Sequence, residues 1–386
     1  MHSRRKFLSS ITGLSVLTGS LGCKRPLPEV LDAIDVSMRR FLVEAGVSAG
    51  QLAILRNGEI IFSKVYAQTP PSGYTAVTPQ TLFRLASLSK MFTCAAIYAL
   101  QTRGTLDLNQ RVFPLLGITK PALAGDHPDP HIDTITVRHL LDHAGGWNIR
   151  KPFRGKGGLL IPSTGWDPMF HIRRIALELG LAAPPTRLDI ARYLYGKPLQ
   201  FIPGTQTYES SHHQTYGNFG YVLLGLVVES VTGQRFIDFV RDDLDGRGAW
   251  PRVLVSPMLQ RERNPLEVWY VASRSGPTVF EPGSNAVLPA AYGGGGFITE
   301  LLDSAAGLMT NAETLARFAS RHSVSGMGGR AAGKNRDGNM PGTYVDVLSR
   351  PNGIDCAYLL NTQDFPGGTD DAEKFSARLR RQLDAL

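Results

Sequence analysis

The chain has 386 residues, 42% of them hydrophobic and 19% charged, with a formal charge of +8. That length passes the roughly 250–300 residues at which one hydrophobic core stops growing, so two packed units or one unit with a large insertion are expected. The composition excludes a disordered chain, and the scattered basic residues, with no aromatic-interleaved basic face, argue against nucleic-acid binding.

Met1 to Lys6 is short and basic, and Phe7 to Gly22 is a mildly apolar run without charge. This is the layout of a removable signal peptide, residues 1–22, and the run is shorter than the about 20 residues a spanning helix needs. Ser3-Arg4-Arg5-Lys6-Phe7-Leu8 resembles a twin-arginine export signal; an ordinary secretory leader with two arginines is the bland alternative. Leu21-Gly22-Cys23 resembles the end of a lipoprotein cleavage site, although Ser20 stands where an aliphatic residue is usual. The expected location is therefore the periplasm or the outer side of the cytoplasmic membrane, with membrane attachment through a lipid on Cys23 left open. The other cysteines, Cys94 and Cys356, lie far apart in apolar patterns and read as buried small hydrophobes.

Val30, Leu31, Ile34, Met38, Phe41 and Leu42 recur at helical spacing and predict an amphipathic first helix. Gln51 to Leu55, then Arg56-Asn57-Gly58, then Glu59 to Phe62 read as a hairpin, because Asn-Gly tolerates the positive φ of a tight turn. A second hairpin is expected from Tyr344 to Ser349 and Ile354 to Leu360 around Pro351-Asn352-Gly353, followed by a closing helix bearing Phe375, Leu379 and Leu383. Helix–hairpin at one end and hairpin–helix at the other are most simply buried as one antiparallel sheet covered by both terminal helices. Between them, Thr136–His143, Leu188–Leu194 and Asn218–Val231 read as helices among Pro- and Gly-rich loops. The expected organisation is an α/β (α+β) domain in two segments, 27–125 and 284–386, around a mostly helical insertion at 126–283. Gly293 to Gly296 reads as closely packed backbone, since the Lys-Ser/Thr ending of a phosphate loop is missing.

The chemistry centres on Phe83-Arg84-Leu85-Ala86-Ser87-Leu88-Ser89-Lys90. On the first turn of a helix, Ser87 and Lys90 would share a face about 5–6 Å apart, within reach of proton transfer. A helix start also offers free N–H groups to a developing oxyanion, and burial makes a lysine lose its proton more readily. Alone, Ser-x-x-Lys is weak, and a helix start with a surface lysine is its bland reading. Tyr216-Gly217-Asn218 adds a phenol that can relay a proton and an amide that can orient lysine and substrate; a loop tyrosine and a helix-capping asparagine are the alternatives. Arg336-Asp337-Gly338, ahead of Asn339, places a cation on a strand edge, with a glycine two residues on that would let substrate backbone approach. Ser-x-x-Lys with two such partners is the signature of β-lactamases and penicillin-binding proteins.

On these motifs the chain resembles the β-lactamase-related serine hydrolases, in the branch holding class C β-lactamases, D,D-peptidases and esterases. The resemblance runs from about Leu27 to the C-terminus. It includes Arg138-His-Leu-Leu-Asp-His143 with Gly145-Gly146-Trp147, Asp167-Pro-Met-Phe170, Phe201-Ile-Pro-Gly204, and Ala306-Gly-Leu-Met-Thr310 leading to Leu315-Ala-Arg-Phe318. It implies a β-lactamase/transpeptidase-like fold with the active site between the two domains. It further implies acylation of Ser87 with Lys90 and Tyr216 as proton carriers, no metal and no organic cofactor. Asn218, Arg336, Gly338 and Asn339 fall on the substrate-binding positions, with the oxyanion between the N–H groups of Ser87 and Asn339. The substrate would be a small ester, amide or peptide; the Gly-x-x-Pro-Gly pattern after Arg336 favours an esterase, with D,D-peptidase or β-lactamase activity as alternatives.

Two departures stand out. The link from Gly204 to Tyr216 is long and contains Tyr208, a rival tyrosine without an Asn two residues on, and His212-His213. The third motif begins with Arg336 rather than Lys or His. Other readings are weaker: His139 and His143 at i,i+4 would suit a metal, but Leu140 replaces the Glu a zinc protease needs. Asp126 to His131 is acidic and His-rich, yet its prolines make it a solvated loop, and no Gly-x-Ser-x-Gly elbow occurs. A non-catalytic envelope binding protein is the alternative of another class.

Overall fold

The computed structural model describes residues 26–149, 151, 153–154, 160–161, 166–207, 215–246, 248–324, 326 and 333–386. The leader, Cys23, Tyr208, His212 and His213 lie outside the described residues. Five helices frame the molecule: α1 (Leu27–Glu44), α2 (Ser89–Thr102), α3 (Phe219–Thr232), α4 (Ala312–His322) and α5 (Thr369–Leu383). No helix among the described residues is long and apolar enough to cross a membrane.

The main sheet has β1 (Ala49–Arg56), β2 (Glu59–Ala67), β3 (Asn335–Met340), β4 (Thr343–Ser349) and β5 (Ile354–Leu360), in the spatial order β3-β4-β5-β1-β2 and antiparallel throughout. The two hairpins read from the sequence thus join along β1 and β5, with Ala53 opposite Ala357. Asn57 and Gly58 carry the positive φ values, 52° and 87°, that the first turn requires. α1 buries Val30, Ile34, Met38, Phe41 and Leu42, spaced every three or four residues, on one sheet face beside α5. Phe41 stacks on Phe375 there at 4.4 Å between ring centres. α4 covers the other face with its buried Leu315 and Phe318, and the tilted pair Phe92–Phe318 ties it to α2.

Helices Val137–Leu141, Ile172–Glu178 and Arg187–Tyr195 and the apolar α3 gather in the segment between residues 126 and 283. The hairpin of Ser275–Pro277 with Val287–Pro289 spans residue 283, and Leu254–Val255 pairs with Leu308–Thr310 in a small sheet completed by Phe83–Arg84. The four-glycine run is close-packed as expected: a Cβ on Gly294 would lie 1.9 Å from the Leu288 carbonyl oxygen, and one on Gly296 2.3 Å from that of Phe170.

Candidate active site

Ser87 sits on a 3-10 turn, Ala86–Leu88, that runs directly into α2, rather than on the first turn of the α-helix itself. Ala86 holds φ at 45°, a conformation non-glycine residues avoid and one that recurs where surroundings force a functional side chain into place. The edge strand β3 packs onto this turn. A Cβ on Gly338 would stand 2.7 Å from the Leu85 carbonyl oxygen, 2.9 Å from the Ser87 nitrogen and 3.0 Å from the Leu88 nitrogen. The glycine therefore admits the protein's own backbone, and it also lines the cleft. Ser89, the neighbouring hydroxyl, is buried and accepts a hydrogen bond from the Leu308 N–H at 3.1 Å.

Lys90, fully buried at 0% exposure, points back at Ser87. Its Nζ lies 2.6 Å from Asn218 Oδ1, 2.9 Å from the Ala305 carbonyl oxygen and 3.4 Å from Ser87 Oγ. The first two are oxygens that only accept. A neutral amine has two N–H bonds and one lone pair, so both N–H bonds go to these carbonyls and the lone pair is left for the serine hydroxyl. Lys90 forms no ion pair among the described residues. Burial, then the positive charge of Arg336, hold its amine well below the usual lysine range, while Asp167 pulls the other way.

Tyr216 Oη is 2.7 Å from Ser87 Oγ. Burial pushes its phenol up to about 12, although the Ser87 hydrogen bond and Arg336 pull it down, so it remains a proton donor at neutral pH. Asn218 precedes α3 without capping it, and its side chain instead bridges Lys90 and the buried carboxylate of Asp167, with Nδ2 to Asp167 Oδ2 at 2.8 Å.

Arg336, half-buried on β3, turns its guanidinium to the Tyr221 hydroxyl, which also donates to the Leu141 carbonyl at 3.1 Å. Asn339 follows on the same strand and, with Ser87, Tyr216 and Asn218, lines a cleft of about 1440 Å³. Apolar walls come from Leu141, Ile149, Phe170 and Met340, and Arg274 and Lys334 add exposed cations. Ser87, Lys90, Tyr216, Asn218, Arg336, Gly338 and Asn339 thus meet in one place.

His139 and His143 do not share a helix face. The helix ends at Leu141, and His143 leaves it with φ at 52°. His139 Nδ1 accepts from the Thr136 N–H in a capping box. The His143 ring is buried between Tyr216 and Tyr221, at 4.6 and 4.9 Å between ring centres, and bonds to the backbone of Gly217. Burial first, then Lys90 and Arg336, keep it well below the usual histidine range, hence neutral. Sequence reasoning missed the roles of Asp167, the Ala305 carbonyl and His143 as neighbours of the reactive groups. Asp167 was visible only within the Asp-Pro-Met-Phe stretch, and nothing local links it to Asn218, 51 residues away.

The arrangement is a β-lactamase/transpeptidase-like fold with a serine, a buried lysine and a tyrosine in hydrogen-bonding reach at the mouth of a cleft. The family model for Beta-lactamase matches residues 34–355, and the chain belongs to that family. It is 27% identical over 210 residues to Protein flp of Staphylococcus aureus (strain MW2), covering 54% of this chain and 35% of that protein. It is 30% identical over 189 residues to Esterase EstB of Burkholderia gladioli, covering 48% of this chain and 41% of the esterase. The matches thus span well under half the length of either relative. Among solved structures, a β-lactamase/D-alanine carboxypeptidase from Yersinia pestis superposes with a TM-score of 0.60 at 15% identity, over 92% of this chain and 99% of that one. EstCE1, described as a hydrolase with promiscuous acyltransferase activity, gives 0.59 at 17% identity, over 92% and 98%.

Proposed function

We propose that the protein is an exported serine hydrolase that acylates Ser87 and acts on a carboxylic ester or amide, with esterase-like hydrolysis as its principal activity. One observation carries the reading: a buried amine held by two carbonyl oxygens lies 3.4 Å from Ser87 Oγ, so that in its neutral form the lone pair has Ser87 as its remaining partner. The Ser87 proton passes to Lys90 Nζ as Oγ attacks the carbonyl carbon. Tyr216, 2.7 Å from Oγ, holds the proton that the departing alkoxide or amine takes up. The N–H groups of Ser87 and Asn339 are assigned to the oxyanion, and Arg336 keeps a fixed positive charge beside the reacting groups. A purely binding protein needs none of this. The esterase relative supports ester hydrolysis.

The cleft favours a second reading within the same chemistry. At about 1440 Å³ it exceeds the roughly 300–1,000 Å³ of ordinary small-molecule sites, which suits a D-amino-acid peptide or a bulky acyl amide. Intact-mass measurement after treatment with a serine-reactive phosphonate should show one adduct, mapped to Ser87. An adduct on Ser89, or none on folded protein, would overturn the reading. Short acyl esters, D-Ala-D-Ala peptides and a chromogenic cephalosporin, assayed side by side, decide the substrate class. Export by the twin-arginine route is part of the proposal, with lipidation of Cys23 as its optional extension. Replacing Arg4 and Arg5 with lysine should leave unprocessed protein in the cytoplasm, and normal export would refute that route.

A further inference from the structure

Asp167 is 3% exposed and sits just ahead of the 3-10 turn Pro168–Phe170. Its oxygens are occupied. Oδ1 accepts from the Met169 N–H at 2.8 Å, and Oδ2 accepts from both the backbone N–H and the side-chain Nδ2 of Asn218, at 3.0 and 2.8 Å. An ionised carboxylate can only accept, so the amide of Asn218 must turn its NH2 toward Asp167. Its carbonyl oxygen then faces the opposite way, onto Lys90 Nζ at 2.6 Å.

Which end of the amide faces Lys90 decides whether the amine can act. With the carbonyl facing it, Nζ spends one N–H on Asn218 and the other on Ala305, and its lone pair meets Ser87. With the amide reversed, NH2 would face Nζ. A neutral amine would then accept from Asn218 with the lone pair that Ser87 requires, and an ammonium would meet a donor.

The geometry points to Asp167 as a positioning residue for acylation: by fixing the orientation of the Asn218 amide, it aims the lone pair of Lys90 at Ser87. The inference rests on Ser87 being the nucleophile. In the step itself the Ser87 O–H bond breaks, its proton forms the third N–H of Lys90, and a bond forms between Oγ and the acyl carbon as the carbonyl π pair moves onto its oxygen, giving the oxyanion. Asp167 gains and loses no proton. Its charge has a second consequence, because it favours the ammonium form of Lys90 against burial and Arg336. Removing that charge makes Lys90 lose its proton at lower pH, so the acid limb of kcat/KM moves to lower pH as well.

The test compares wild type, Asp167→Asn, Asp167→Glu and Ser87→Ala on a neutral short-chain ester across pH, alongside thermal melting. Asp167→Asn, which can no longer dictate the amide orientation, is expected to lose about 10–100-fold in kcat with KM within about twofold, and its acid limb should move to lower pH. Asp167→Glu keeps the charge but displaces the acceptor, so kcat should fall about tenfold with the acid limb in place. Wild-type kcat in either variant, or a lower melting temperature with an unmoved acid limb in Asp167→Asn, would overturn the inference. Should Asp167→Asn not fold, Asp167→Glu decides by its kcat. Activity surviving in Ser87→Ala would instead overturn the serine-hydrolase reading, which separates the two failures.

Discussion

Two buried basic side chains flank Ser87, Arg84 three residues before it and Lys90 three residues after it. Arg84, 1% exposed, is satisfied on every side. It pairs with Glu267 at 3.5 Å, donates to Ser256 Oγ and to the carbonyls of Ala291 and Pro257, and lies 4.3 Å from the centre of the Tyr270 ring. Lys90 is equally buried but meets carbonyl oxygens and a hydroxyl in place of a carboxylate. A carboxylate cancels charge, so Arg84 is built to stay charged and to hold the turn ahead of Ser87 against the loops at 256–257 and 291. Carbonyls suit an amine as well as an ammonium, so Lys90 is built to change protonation. Partner type, rather than burial, separates scaffold from chemistry here.

The largest expected effect comes from removing the reactive amine. Lys90→Met should lower the acylation rate by about 10²–10⁴-fold in single-turnover assays. Its unfolding free energy should change by less than about 1 kcal/mol, because the lost hydrogen bonds are offset by no longer burying a titratable amine. Activity within tenfold of wild type would break the comparison. Arg84→Met should behave in the opposite way, losing about 3–5 kcal/mol of stability because Glu267 is left buried and uncompensated. Replacing Glu267 with Met as well should recover much of that loss in denaturant titrations. No recovery would mean that the pair is not the source of the effect.

Gly338→Ala tests the contact between β3 and the Ser87 turn. Its Cβ would meet three backbone atoms at 2.7 to 3.0 Å, so the strand must move away. About 1–3 kcal/mol of stability should be lost, together with part of kcat, since Asn339 moves with the strand. A fully active, fully stable variant would show that the approach is not required.

The smallest effect concerns a buried acid that faces α5. Asp346, on β4 and bonded by Ser376 Oγ, is pushed up to about 8 by burial, with Asp337 adding to the rise. Between the ordinary carboxylate value of 3.8 and about 8 the native state binds the extra proton. Stability is therefore expected to fall as pH rises through that window. Asp346→Asn should raise the melting temperature at pH 8, change little at pH 4 and leave kcat unaltered. A loss of kcat would show that this face of the sheet also serves the site.

Much of the scaffold was legible because its signals are local. Asn57-Gly58 and Asn352-Gly353 mark tight turns, and Val30, Ile34, Met38 and Phe41 repeat at the helical period. The Ser87–Lys90 pair was legible for the same reason, being one turn apart. What escaped the sequence depends on contacts across long stretches of chain. Asp167 reaches Asn218, and Lys90 reaches the carbonyl of Ala305, 215 residues on. His143 misled because four-residue spacing presumes a continuing helix, and this helix stops at Leu141. Gly338 was noticed for its flexibility, but no pattern in β3 reveals that the Leu85–Leu88 backbone lies against it.

The central claim, that Lys90 is the resident neutral base, is tested most directly by nitrogen-15 NMR of the lysine side chains across pH. The Lys90 signal is assigned by its disappearance in Lys90→Arg. The expected result is that Lys90 loses its proton well below the exposed lysines, in the same pH range as the acid limb of kcat/KM. A Lys90 amine that titrates together with the exposed lysines would contradict it.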